Sequence, residues 1–517
     1  MDKNFIKFIK KNKNLINQTI SEKEVLIVDR SKFGSALFST LIASALNKKH
    51  SFNVKLLSNQ LEKSNFVKLY KSFGINNIIC KNNFLGYLKN YKILFETIYY
   101  FLIYSLKIYV SPLNWMTEKF KLKGVKIGDL IYDSWIKDKI NLVDQKKNLS
   151  LFVLLFLTIY KFLKIFDLLK KNKIETIIVS TASYANYDSL SIRIGLKFKI
   201  RILEMVYLIN TNSILEYNYN HLKYGMRNIY HDKKQKNNFH NLDTSERLLD
   251  SFVKKRFSNK INLFHTNNSD VKLANDLKFN YTKENFLKKF ARQKKYDKII
   301  LFALHAFSDA PHGAGYELIF RDFYSFYTET LEEIARSKEN ILWIIRPHPA
   351  SKIYGEDGIA EQFFNKINNK NTILCPKITT QNLIQICDSV ITMKGIIGLE
   401  FAINGKKPIT CGHPPYSNMG ISKNFNSKKN FFLQIQKLSK LDLKLTKKQI
   451  YLAKKLLFYL ETCVPFKELE PSQFIQDIIF DINTIKSDLI WNKLSKRFKD
   501  SVNFSYDKFY LDCIKKL

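Results

Sequence analysis

Short, wholly apolar runs punctuate the chain, and between them apolar residues recur at helical spacing. The alternation is clearest after residue 297, where apolar runs at 298–303, 341–346, 372–375, 389–392 and 408–411 read as strands buried on both faces. Between them, 320–337, 356–368, 380–386 and 395–404 carry helical periodicity. Strictly alternating strand and helix imply a parallel, doubly wound sheet. The chain opens the same way, with expected strands at 24–29, 52–57, 76–79, 175–180 and 200–205 and a helix over 36–46. Residues 85–170 read as mostly helical, 216–244 as a polar loop region, and 245–295 as helical and basic. Helical periodicity returns at 428–440, 446–462 and 471–498. The pattern therefore predicts an α/β protein in three parts: an α/β domain over 1–290, a doubly wound domain over 291–425, and a helical tail over 426–517 that packs back on the first.

Composition changes this picture little. A chain of 517 residues with 45% hydrophobic and 14% aromatic content is globular and long enough for more than one core. The net charge of +38 comes from lysines scattered through a chain rich in Lys, Asn, Ile, Phe and Tyr, without an arginine-rich stripe or basic–aromatic interleaving. A nucleic-acid role is therefore not expected, whereas acidic substrates or an anionic membrane surface suit the charge. The cysteines at 80, 375, 387, 411, 463 and 513 show no metal-site or redox spacing, which fits a reducing, cytoplasmic compartment. The apolar stretches 93–110 and 151–160 are read as core helices or as helices resting on a membrane surface.

Candidate chemistry gathers where the later strands end. The run Ile341–Ile345 stops at Arg346-Pro347-His348-Pro349, and in open parallel sheets ligands sit at the carboxyl ends of strands. Ser389–Thr392 runs into Lys394 and Gly395, then into a helix carrying Gly398 and Glu400 and stopping at Gly405. The amides opening that helix, with Lys394 and His348, suit phosphate, and Glu400 lies within reach of a sugar hydroxyl. The constellation reads as a pocket for a nucleotide-linked sugar. The loop after strand 298–303 adds His305, Asp309, His312 and Glu317 at a third strand end. Further upstream, Asp129 and Asp133 read either as helix caps or as groups facing an acceptor, and Asp188 lies in a polar cluster at another strand's carboxyl end.

The ordered set Arg-Pro-His-Pro at 346–349, Thr-x-Lys-Gly-x-x-Gly-Leu-Glu at 392–400, Gly405-Lys-x-Pro408, then Gly412 to Tyr416 and Gly420 resembles the capsule polysaccharide biosynthesis family, which includes Kdo transferases. It is more distantly similar to bacterial sialyltransferases and teichoic-acid glycerophosphotransferases. The resemblance covers about residues 295–425. It implies a GT-B architecture, two Rossmann-like domains facing across a cleft, with the nucleotide sugar on the second and the acceptor on the first. It implies a metal-independent glycosyltransferase of surface polysaccharide assembly, using a CMP-linked donor and a glycan or glycolipid acceptor at the cytoplasmic membrane face, with no further cofactor. Arg346, His348, Pro349, Thr392, Lys394, Gly395, Gly398 and Glu400 stand at donor-binding positions; Lys394 departs from relatives, which often carry Ser or Thr. An attacking hydroxyl needs a general base, expected at Asp309 or His305, with Asp133 and Asp188 as further candidates. A CDP-alcohol phosphotransferase and a non-catalytic glycan-binding or scaffold protein are the alternatives.

Overall fold

The computed structural model describes residues 10, 12–13, 15–17, 21–29, 33–58, 60–61, 64–79, 90–180, 182–208, 211–257, 281–291, 295–313, 315–367, 369–462 and 508–517. They form two compact units: the first from 1–131, 148–219 and 465–517, the second from 132–147 and 220–464. The expected helix at 471–498, and Cys80 and Cys463, lie outside the described residues.

The first unit is built on a six-stranded sheet. Its strands are β1 (Glu24–Asp29), β2 (Asn53–Ser58), β3 (Asn77–Ile79), β6 (Ile174–Val179), β7 (Arg201–Leu208) and β8 (Thr211–Glu216); β4 (Lys121–Leu122) and β5 (Val125–Lys126) form a separate hairpin. The order is β3-β2-β1-β6-β7-β8, parallel except that β8 returns antiparallel on β7. Apolar side chains of β1 and β2 pack with the helix Phe33–His50, and the helix Lys508–Lys516 closes over that same helix, bringing Tyr510, Cys513 and Leu517 into the core. The Tyr510 hydroxyl lies 2.8 Å from Ser44 Oγ.

The second unit repeats the architecture. Its strands are β9 (Lys298–Ala303), β10 (Ile341–Arg346), β11 (Thr372–Leu374), β12 (Ser389–Thr392), β13 (Ile409–Cys411) and β14 (Lys423–Phe425). They lie in the order β11-β10-β9-β12-β13-β14, all parallel. This is the doubly wound order whose direction reverses between β9 and β12, the place where such sheets bind ligands. Two of the intervening helices, Phe323–Arg336 and Thr380–Ile386, start where a side chain satisfies an early amide: Asp322 accepts from the Ser325 N–H at 2.5 Å, and Thr379 from that of Asn382 at 3.2 Å.

Three expectations from the sequence need correction. Residues 216–244 are not a loop: Tyr219–Tyr224, Ile229–His231 and Lys233–Asn241 are helical, their few apolar side chains sufficing because His221, Asp232 and Gln235 form a buried polar cluster. The boundary falls near residue 219 instead of 290, since the second unit takes in the chain from 220 onward, and among its described residues Phe286 joins the core of the second sheet. The segment after 426 does not act as one tail. The helix Lys447–Thr462 buries Ala453, Leu456, Leu457, Tyr459 and Leu460 within the second unit, and among the described residues after 462 the Lys508–Lys516 helix packs on the first.

Candidate functional site

The site lies at the reversal point of the second sheet. β9 ends at Ala303, the Leu304 N–H donates to the Arg346 carbonyl at 3.0 Å, and the chain turns so that His305 stacks on Phe323 with ring centroids 4.3 Å apart. From the next strand in the sheet, β12, the Lys394 backbone N–H donates to His305 Nε2 at 3.0 Å, and Thr392 Oγ1 lies 3.4 Å from the same nitrogen. Because Nε2 accepts a backbone proton, the ring is the neutral Nδ1–H tautomer. Burial, then the nearby His348 and Lys394, push its pKa down to about 3. His305 thus ties β9 to β12 and is not a base that takes a proton near neutrality, contrary to the expectation from sequence.

Lys394 is the central cation. Its ammonium donates to the Gly315 carbonyl at 2.6 Å. Burial pulls its pKa down to about 7, partly offset by Asp133, Cys411 and Glu317. Gly315 has φ +102°, and a Cβ there would meet the Gly225 nitrogen and the Tyr224 carbonyl carbon at 2.5 Å, so only glycine brings this carbonyl to the lysine. At the end of β10, two strands from β12, Arg346 donates to Thr380 Oγ1 at 2.9 Å. His348 Nδ1 accepts from the Ala350 N–H at 3.2 Å, which leaves Nε2 to carry the proton in the neutral ring. Pro349 is exposed in the turn closed by the Ser351 N–H on the His348 carbonyl at 3.0 Å.

The turn after β12 is more internally satisfied than its sequence implied. The Gly395 N–H donates to Thr392 Oγ1 at 3.3 Å, and the Gly395 carbonyl accepts from the Tyr416 hydroxyl at 2.7 Å. Thr392 therefore shapes the turn, and of the amides assigned to phosphate that of Gly395 is already engaged. Gly398 is required by close approach: a Cβ there would sit 1.9 Å from the Tyr416 hydroxyl oxygen. Glu400 does not present its carboxylate as expected. Arg256 donates to it at 2.8 Å and reaches Glu461 at 3.1 Å, making a nearly buried triad that joins three helices of this unit.

The loop after β9 holds a group whose partner was not foreseen. His312 Nδ1 lies 2.6 Å from Asp133 Oδ1, and its backbone N–H donates to Asp133 Oδ2 at 3.1 Å; both side chains are buried. Tyr132 donates to Asp322 beside them. Glu356 pins the start of the loop, accepting from the amides of Phe307 and Ser308 at 2.8 and 2.6 Å and from Ser308 Oγ at 2.6 Å. Asp309 stands exposed between these two anchors. Beyond β13, His413 lies with ring centroid 5.4 Å from that of His231, and burial with His231 and Lys394 pushes it down to about 4. Neither the Asp133–His312 pair nor the Arg256 triad has a signal in sequence spacing, because each joins residues more than a hundred positions apart.

In the first unit, Asp129 makes a two-point ion pair with buried Arg193 at 2.6 and 2.8 Å, and Asp188 accepts from the Ser180 N–H at 3.0 Å. Both carboxylates hold their own fold together. Among the described residues no cluster of three or more His, Cys, Asp and Glu side chains has the geometry of a metal site.

Residues 225–457 match the family described as capsule polysaccharide biosynthesis protein, a span lying wholly within the second unit. The family resemblance carried by the motifs is thereby borne out for that region. Solved structures similar to the chain include Thermosulfurimonas dismutans KpsC, beta Kdo 2,4 transferase, at 13% identity over 55% of this chain and 79% of that one, with a TM-score of 0.33. The UDP-GlcNAc 2-epimerase from Methanocaldococcus jannaschii is 12% identical over 85% of this chain and 99% of that one, with a TM-score of 0.25. No curated protein sequence matches the chain.

Proposed function

We propose that this chain, whose second unit carries the capsule polysaccharide biosynthesis region, is a glycosyltransferase that moves a sugar from a nucleotide donor to a glycan or glycolipid acceptor in surface polysaccharide assembly. The observation that carries the reading is that Lys394, His348 and Arg346 follow or close the carboxyl ends of β12 and β10, the two strands that flank β9 at the sheet's reversal point. A leaving nucleotide gains negative charge on its phosphate as the glycosidic bond breaks, and cations held in a low-dielectric site stabilise that charge. In this reading Lys394 meets the phosphate and His348, which like Lys394 lies near His305, donates to it, while Arg346 is held on Thr380. A CMP-linked, Kdo-like sugar is the donor assigned here, on the strength of the family resemblance.

The attacking hydroxyl loses its proton to Asp309 in this reading, the exposed carboxylate of the β9 loop. The Asp133–His312 and Glu356–Ser308 contacts hold that loop from both sides, and Asp133 supplies the negative field that keeps part of the Lys394 charge. Glu400 is assigned to the frame of the unit instead of to the sugar.

Calorimetric titration of the whole protein with CMP, CDP, UDP and GDP tests this. One nucleotide should bind, and Lys394→Gln and His348→Ala should each weaken it at least ~10-fold, while Asp309→Asn should bind as wild type and lose transfer. A folded protein that binds none of the four nucleotides would end the transferase reading.

A further inference from the structure

The helix Tyr91–Val110 in the first unit has its polarity reversed relative to an ordinary surface helix. Only Thr97 and Ile108 are buried. Its exposed face carries Tyr91, Phe95, Tyr99, Leu102, Leu106 and Tyr109, spaced by three, four or seven positions so that they share one stripe; Phe95 is 69% exposed and Leu106 67%. The neighbouring helix Leu149–Lys171 continues the surface with Leu149, Val153 and Leu157. The two helices meet through Phe101 and Phe156, ring centroids 5.5 Å apart and edge to face. A soluble surface helix places charge on its outer side and apolar residues inward. Here large apolar side chains face out along the whole length, an arrangement that marks an interaction surface.

The charges on this surface select the partner. The exposed charged residues of the Tyr91–Val110 helix are Lys92 and Lys107, one near each end. Its carboxylate, Glu96, is paired with Lys123 at 2.5 Å, and Asp167 of the second helix is paired with Lys171 at 2.8 Å. The tyrosines and lysines border an apolar stripe, the composition that suits the headgroup level of a bilayer, and the net charge of +38 favours an anionic one.

The helix is long and apolar enough to cross a membrane, yet its attachments hold it flat. Tyr104 donates to the Lys121 carbonyl at 2.7 Å, Glu96 holds Lys123, and Phe101 rests on Phe156. These fixings near the start, middle and latter part of the helix leave only the outer face available. We infer that the outer face of Tyr91–Val110, extended by Leu149, Val153 and Leu157, docks in the plane of an anionic lipid bilayer. The inference is independent of the donor chemistry proposed above and names the surface that would bring the protein to a lipid-linked acceptor.

The test is co-sedimentation of the full-length protein with vesicles of phosphatidylcholine alone or mixed with phosphatidylglycerol, at low and high salt. The wild type should sediment with the anionic vesicles and less so as salt rises. The double substitution Leu102→Asp, Leu106→Asp should lower partitioning at least ~10-fold. Lys92→Gln and Lys107→Gln should each lower it about fivefold on anionic vesicles only. Circular dichroism melts verify that each variant is folded, and the lysine variants, which change exposed side chains, carry the test if the aspartates disturb folding. Wild-type protein remaining in the supernatant, or lysine and aspartate variants that bind anionic vesicles as wild type does, would overturn the inference. So would a wild-type dimer that Leu102→Asp separates in velocity sedimentation without any vesicle binding, since the surface would then belong to a second copy of the chain.

Discussion

Arg256→Met is the most direct probe of how the second unit is framed. The guanidinium stands 2.8 Å from Glu400 and 3.1 Å from Glu461, with side-chain exposures of 6%, 14% and 12% respectively. Burial is the largest influence on Arg256 and opposes its charge, and the two carboxylates overcome it, raising the pKa. Methionine keeps most of the apolar stem but leaves mostly buried Glu400 without its guanidinium partner, and Glu461 with Arg227 as its nearby cation. Removing one partner of a buried pair costs about 3–5 kcal/mol. Because Glu400 and Glu461 keep some contact with water, the lower end, roughly 3 kcal/mol, is expected. For a unit of this size that corresponds to a fall in Tm of roughly 6–12 °C. Glu400→Gln retains an acceptor for Arg256 and leaves Glu461 to balance its charge, so it should cost only about 1 kcal/mol. Thermal unfolding followed by circular dichroism gives both values, and calorimetric titration of the folded variants gives nucleotide affinity. The reasoning predicts a stability loss with nucleotide binding near wild type in Glu400→Gln. Unchanged melting with abolished nucleotide binding in that variant would refute it and return Glu400 to the donor site.

Three further outcomes follow from the geometry. With Lys394 drawn down to about 7 by burial, a bound phosphate favours its charged form, so nucleotide affinity should fall with rising pH, by up to about tenfold per unit above pH 7. A Lys394→Arg variant should flatten that slope in titrations between about pH 6 and pH 9. His305 is held at about 3 in the fold, so the unfolded chain takes up this proton first. The stability this group supports is present above about pH 6.5 and is lost as pH falls toward 3; His305→Gln should reduce the acid sensitivity of urea unfolding relative to wild type. Gly398→Ala forces a methyl to within 1.9 Å of the Tyr416 hydroxyl oxygen and should cost at least ~2 kcal/mol, part of which Tyr416→Phe in the same background should restore.

The strands of the second sheet were legible because they are buried on both faces and so appear as unbroken apolar runs: β9, β10 and β12 lie where those runs stand. The edge strands were not. β14 is only half-buried, and its Lys-Asn-Phe sequence carries no apolar run. β8 reads Thr-Asn-Ser-Ile-Leu-Glu and gains its strand character by pairing antiparallel with β7, a long-range contact that local pattern does not encode. At the site, Arg346, His348 and Lys394 stand at or just after the carboxyl ends of β10 and β12, as the ends of the apolar runs implied. Which atoms each group satisfies is not encoded in those runs. The His305 Nε2 accepts from the Lys394 N–H, and Arg256 reaches Glu400 from 144 positions away; neither contact has a trace in local sequence.

The helix Lys508–Lys516 has a consequence for the order in which the protein matures. Its Tyr510 meets Ser44 across 466 positions of sequence. At ~5–20 residues added per second, the ribosome takes tens of seconds to span that interval. Throughout that time the helix Phe33–His50 lacks Tyr510, Cys513 and Leu517 as a cover. The contiguous stretch 220–464 is finished earlier, so the second unit has its main body in hand while the first still waits. A nascent chain of this protein therefore matures out of sequence, with its earliest-made core sealed late. That interval exposes apolar helix surface, and it is the stage at which a chaperone would have the most to hold.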